Sequence, residues 1–256
     1  MIGARHISST LALTEVELRK LRHDPSEVLV RSIQPALWLI VFGSVFNVVR
    51  AIPTGSYSYL QFITPGILAQ SVMFIAIFYG IALVWERDFG ILNKLLSTPV
   101  PRSSIVLGKA LSAGVRGIFQ AVVIFVLAAI IGVPLHMGVI NIVGVFVVIV
   151  LFGMCISSLS ICLVSLLKTR ERVMGMAQAI IMPLFFASNA IYPVDIMPGW
   201  LRAIVIFNPL SYVVDALRAF LLSGNYSKLP LDITALTLTT FALVFLATVA
   251  FKRIID

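Results

Sequence analysis

"LQFITPGILAQSVMFIAIFYGIALV", residues 60–84, carries no charged side chain. A helix needs roughly 20 apolar residues to cross a bilayer, and this run exceeds that. Outward from it, sustained apolarity recurs five more times. The six candidate spans are Ile33–Val49, Leu60–Val84, Ile105–Val133, Val139–Leu167, Val173–Ile191 and Ile233–Phe251. Pro35 falls in the first turn of the first span, where proline is tolerated. The fourth span is long enough to tilt or to project beyond the lipid, and Pro183 should kink the fifth.

Composition agrees. Of 256 residues, 60% are hydrophobic and 12% charged, and the mean hydropathy is +1.06, whereas soluble domains are about a quarter charged. Six spans with short connections use most of the chain. Residues 1–256 therefore read as one all-α domain, a polytopic membrane protein with six transmembrane helices and no internal repeat. The start, "MIGARHISSTLALTEVELRK", lacks the uninterrupted apolar core and cleavage site of a signal peptide.

Orientation follows from the basic residues. With the N-terminus in the cytoplasm, fourteen of the 19 lysines and arginines fall on one side and four on the other, with Arg116 left inside a span. Such a positive-inside bias places both termini in the cytoplasm of a cell-membrane protein. The formal charge of +8 is then topology, and no nucleic acid is needed as a partner. Cys155 and Cys162, seven apart on one helix, stand about 10 Å apart along its axis, beyond disulfide reach, and read as packing residues. The three histidines are scattered, so no metal site is visible.

Two connecting stretches are unusual. Residues 1–31 contain "STLALTEVELRKLRHD", where Leu11, Leu18 and Leu21 fall near one stripe; this suggests an amphipathic helix along the inner membrane face. Residues 85–104, "WERDFGILNKLLSTPVPRSS", place Phe89, Leu92, Leu95 and Leu96 at helical spacing while Arg87, Asp88 and Lys94 project elsewhere. Gly90 marks a bend where span two leaves the bilayer. Pro99 and Pro101 end a helix expected over Arg87–Thr98, and Ser103 or Ser104 can cap the next one. An apolar face too small to insert wants a protein partner.

That loop, extended through "IVLGK", resembles the cytoplasmic loop of type-2 ABC exporter permeases, especially the drug-resistance and nodulation-type branch. Glu86, Gly90, Leu95, Leu96, Pro99, Arg102 and the pair Gly108-Lys109 carry the resemblance. A second match is "SNAIYPVDIMPGWLRAIVIFNPLSYVVDALR", residues 188–218, with Pro193, Met197, Pro198, Trp200, Leu201, Asn208, Pro209, Leu210, Tyr212 and Arg218 at the family's positions. The resemblance implies a coupling helix that docks in a cleft of a separate ATP-binding subunit. It implies two copies of the permease, or one copy with a related permease, meeting through spans one and five, beside a dimer of ATP-binding subunits. Cofactors would then belong elsewhere, with ATP and magnesium on the partner. The chain has no G-x-x-x-x-G-K-[ST] loop of its own: Gly108-Lys109 is followed by Ala110, and Ser103 stands where the first glycine would be.

Between the last two spans, Ile196–Ile206 and Leu210–Leu222 are too short to cross and read as re-entrant helices in residues 192–230. Asp215 and Arg218 can pair at i,i+3, either to hold these helices or as a gate. Trp200 suits the membrane interface. Gln70, Ser188 and Asn189 could line a pathway or bond neighbouring helices. Arg116 reads as snorkelling or salt-bridged near the inner interface, with a transport role as the alternative. The function implied is efflux of a lipophilic drug, lipid or (lipo)oligosaccharide by an ATP-driven exporter. An ion-coupled secondary transporter is the alternative, against which stands the lack of any carboxylate securely within a span. A membrane enzyme would need clustered catalytic groups, which the sequence does not offer.

Overall fold

A computed structural model describes residues 2–23, 26–49, 52–167 and 169–254. The chain is all helix, with no strand among the described residues. Helix α1 is Ile2–His23; α2 is Ser26–Leu37, continued by a π-helical turn at Trp38–Phe42 into α3, Gly43–Val49. Then come α4 (Tyr59–Asp88), α5 (Ile91–Leu96), α6 (Arg102–Ile131), α7 (Val139–Leu166) and α8 (Arg170–Phe186). The series closes with α9 (Gly199–Phe207), α10 (Pro209–Arg218) and α11 (Leu229–Ala250).

Helix α4 is the spine. Ser58 accepts from the Gln61 backbone N–H while the Gln61 side chain accepts from that of Ser58, a reciprocal cap at its first turn. Of its most apolar window 89% is buried, against 17% for α11. Small residues bring the neighbouring helices close: a Cβ placed on Gly80 of α4 would meet Ser160 of α7, and one on Gly153 of α7 would lie 2.6 Å from the Gly114 Cα of α6. Such close backbone approach is how helices associate where lipid supplies no hydrophobic drive.

Among the described residues, five segments are long and apolar enough to cross a membrane: Leu29–Val49, Tyr59–Asp88, Arg102–Ile131, Val139–Leu166 and Leu229–Ala250. The fifth expected span is the departure. Helix α8 has only 17 residues, about 25 Å of rise, and stops at Phe186 instead of Ile191, with Pro183 in its last turn and not midway. It nevertheless runs the depth of α4. Arg170 at its start donates to Asp88 at the end of α4 (2.9 Å), and Tyr59 at the start of α4 donates to the Ile191 carbonyl (3.1 Å). Residues 187–191 continue from α8 in turns buried inside the protein, where backbone groups find partners. Helices α9 and α10 meet at a bend of 84°.

Candidate functional site

At the face carrying α1, Gly90 adopts φ +71°, a left-handed conformation that glycine enters without penalty. There α4 ends and α5 begins, so the bend expected at Gly90 is real. The helix after it is shorter than Arg87–Thr98, because α4 itself runs through Asp88. Its leucines also turn the other way. Leu92 is 2% exposed, and Leu95 and Leu96 pack half-buried against the same core. The apolar side chains offered outward are Phe89, 72% exposed, and Ile91, 50% exposed. Pro99 and Arg102 are exposed beyond them. No serine caps α6; Pro101 holds the cap position, and the Ser103 and Ser104 hydroxyls instead lie 3.4 and 3.3 Å from His6 Nδ1.

Behind α5 lies a cluster of charges that joins three helices. Lys109 on α6 reaches Glu17 on α1 (3.0 Å) and Glu86 on α4 (2.6 Å), with its side chain only 6% exposed. Lys20 bridges the same two carboxylates from the surface, at 3.0 and 3.2 Å. Arg116 lies 4.3 Å over the Tyr79 ring and donates to the Glu17 carbonyl at 3.0 Å. It is therefore anchored beneath α1 and does not snorkel alone. Burial pushes the Glu17 carboxyl up, but Lys109, the Tyr79 hydroxyl and Lys20 together overcome it and hold the group at about 2. Burial opposes the charge on Lys20 too, and its two glutamates raise it above its ordinary range.

Close approach makes the cluster possible. A Cβ on Gly108 would lie 2.8 Å from that of Leu13, so only glycine lets α1 lie flat on α6. Thr14 then donates to the Gly108 carbonyl at 3.3 Å. The inward face of α1 is thus Leu13, Thr14, Glu17 and Leu21, not a leucine stripe. Leu11 is 56% exposed, beside Ile7 and Val16. Asp88 ties the loop to α8: Arg170 Nη2 stands 2.8 Å from it and the Arg170 guanidinium 5.8 Å from the Phe89 ring centroid. Arg87 pairs with Asp88 at 3.3 Å.

The opposite face gathers the second motif. Asn208 caps α10 by accepting from the Leu210 backbone N–H (3.0 Å), and its amide donates to the Leu184 and Ala187 carbonyls at 2.7 and 2.8 Å. Pro209 takes the first position of α10, where a missing N–H costs nothing. Pro198 stands at the cap of α9, Tyr212 donates to the Ile206 carbonyl, and Trp200 is exposed. Arg218 and Asp215 stand 4.0 Å apart, longer than a good pair. Arg218 instead donates to the Asn189 and Phe62 carbonyls at 2.7 and 3.3 Å and lies 3.7 Å over the Phe62 ring. Asp215 accepts from the Asn189 amide at 2.6 Å. Asn189 thus joins the outer cluster, whereas Ser188 spends its hydroxyl on the Phe185 carbonyl and the Ala190 N–H. Gln70 is buried, and its Oε1 has no partner among the described residues.

A polytopic helical bundle with a short helix suspended from its basic face has the form of a membrane permease. The family description "ABC-2 type transporter" matches residues 8–222, and the chain belongs to that family. It is 34% identical over 201 residues to the permease ycf38 of Cyanophora paradoxa, covering 78% of this chain and 69% of that one. It is 26% identical over 215 residues to the daunorubicin resistance ABC transporter permease protein DrrB1 of Streptomyces coeruleorubidus, covering 84% and 75%. Nodulation protein J of Rhizobium meliloti (strain 1021) is 26% identical over 221 residues, covering 86% and 83%. The protein is a multi-pass transport permease of the drug-resistance and nodulation branch.

Proposed function

We propose that this chain is the membrane subunit of an ATP-driven exporter whose ATP and magnesium are held by a separate dimer of ATP-binding subunits. Both termini face the cytoplasm, and the cargo is a lipophilic drug, lipid or (lipo)oligosaccharide. The observation that carries this reading is α5, a six-residue helix preceded by Glu86 and Asp88 at the end of α4, each ion-paired to another helix, with Phe89 and Ile91 presented outward at the junction. A push on that exposed pair is transmitted through Glu86 and Lys109 to α4, α6 and α1, and through Asp88 and Arg170 to α8. Leu92, Leu95 and Leu96 act as the rigid backing, not as the docking surface. Phe89→Asp combined with Ile91→Asp should abolish co-purification of the ATP-binding subunit while the chain still inserts. Retained association with ATP-dependent transport would overturn the docking assignment, and transport driven by an ion gradient without nucleotide would favour the ion-coupled alternative.

A second permease copy completes the path in this reading. Its seat is the outward face of α8, where Gly175, Gln178 and Ala179 are exposed. Small and polar residues mark helix–helix contacts within membranes. The outward face of α11 carries Leu238, Phe241, Phe245, Leu246 and Val249, a surface suited to lipid.

A further inference from the structure

A cavity of about 490 Å³ opens at the face opposite α1, walled in part by Phe62, Asp215, Leu222, Lys228 and Asp232. That is the size of a small-molecule site, and its mixture of apolar wall and few polar groups is the usual composition of one. Asp232 sets it apart. Lying in the first turn of α11, it is 4% exposed, and its carboxylate has no hydrogen-bond or ion-pair partner among the described residues. The helix dipole favours the charged form there, yet a buried anion ordinarily demands a cation. The two cations in the wall do not supply it: Arg218 is committed to the Phe62 and Asn189 carbonyls, and Lys228, one turn before Asp232, is exposed and makes no ion pair with it among the described residues. Asp215, with a side chain 45% exposed, accepts only from Asn189 on the protein side.

We propose that this cavity binds the ammonium group of an organic amine, seated on Asp232 with Asp215 as a second acceptor and with the amine's apolar body against Phe62 and Leu222. An inorganic cation lacks the ligand set, since no group of three or more histidines, cysteines or carboxylates here could hold a metal among the described residues. An ammonium needs fewer acceptors and brings its own apolar surface. The same chemistry is found in soluble amines and in the ethanolamine headgroup of a lipid.

The test uses the full chain in phosphatidylcholine nanodiscs, with dansylcadaverine as the fluorescent probe and its N-acetyl form as the uncharged control. No nucleotide or partner subunit is present, so the outcome is independent of the coupling proposal. Saturable binding is expected for the amine, at least tenfold weaker for the acetylated form and for Asp232→Asn. Ser227→Trp, a change at the exposed rim of the cavity, should weaken binding comparably without disturbing a buried residue, and it decides the matter should Asp232→Asn misfold. Competition when phosphatidylethanolamine replaces part of the phosphatidylcholine supports the site with a lipid headgroup as its ligand; no competition supports it with a soluble amine. Equal binding of the two probe forms, or binding unchanged in both variants, overturns the proposal.

Discussion

Glu17 shows how much one side chain can decide. Its carboxylate meets Lys109 and Lys20 at 3.0 Å each, and it is the group through which α1 is fastened to the bundle. Opening a buried pair by removing one partner costs about 3–5 kcal/mol, because the remaining charge is stranded. Acid does this without a mutation. Glu17 titrates at about 2 in the folded protein against an ordinary 4.5, so its contribution is complete above pH 4.5 and is lost as pH falls from there towards 2. Hydrogen exchange in α1, corrected for intrinsic rates, should therefore be flat above that value and rise below it. In Glu17→Gln, exchange should be raised throughout and the acid step absent. An unchanged step in that variant would assign the acid sensitivity to another group.

At the scale of elements, Gly108 is the counterpart of Glu17. Gly108→Val puts branched carbon where Leu13 Cβ already stands within 2.8 Å of the added atom, an overpacking that typically costs about 1–3 kcal/mol. Separation of α1 from α6, read as lost protection in residues 10–21 and a lower melting temperature in detergent, is the expected result; normal protection there would mean α1 is held by its charges alone. The spans themselves were legible in the sequence, since an uninterrupted apolar run has few alternatives to a crossing helix. The inward face of α1 was not. Counting leucines found Leu21 but passed over Thr14 and Glu17, whose partners Gly108 and Lys109 lie more than ninety residues away. In α5, likewise, periodicity located the leucine stripe and could not say which body would cover it. Leu92 is covered by its own chain. The end of α8 escaped for a related reason. Residues 187–191, Ala-Ser-Asn-Ala-Ile, hold no proline or glycine to stop a helix, and the distant Asn208 and Tyr59 side chains, bonding the carbonyls of Leu184, Ala187 and Ile191, hold the turns that replace it.

For the molecule as a whole, the question is which outward surfaces meet lipid and which meet protein. Burial within one chain does not separate them, because Met182 on α8 and Phe241 on α11 are both exposed. Their surroundings do. Around Met182 the helix offers Gly175, Gln178 and Ala179, and a glutamine amide facing hydrocarbon would leave its donors and acceptor unsatisfied at a cost of several kcal/mol. Around Phe241 the surface is dominated by large apolar groups, Leu238, Phe245 and Leu246, and the Thr234 and Thr239 hydroxyls bond back to their own helix, at the Pro230 and Ala235 carbonyls. With Cys155 and Cys162 replaced by alanine, a single cysteine at position 182 should yield a covalent dimer on oxidation in membranes. A cysteine at 241 should remain monomeric and react with lipid-soluble maleimide. The reverse pattern would move the second permease to α11, leaving Gln178 to be satisfied by water in a cavity and α8 without a role in assembly.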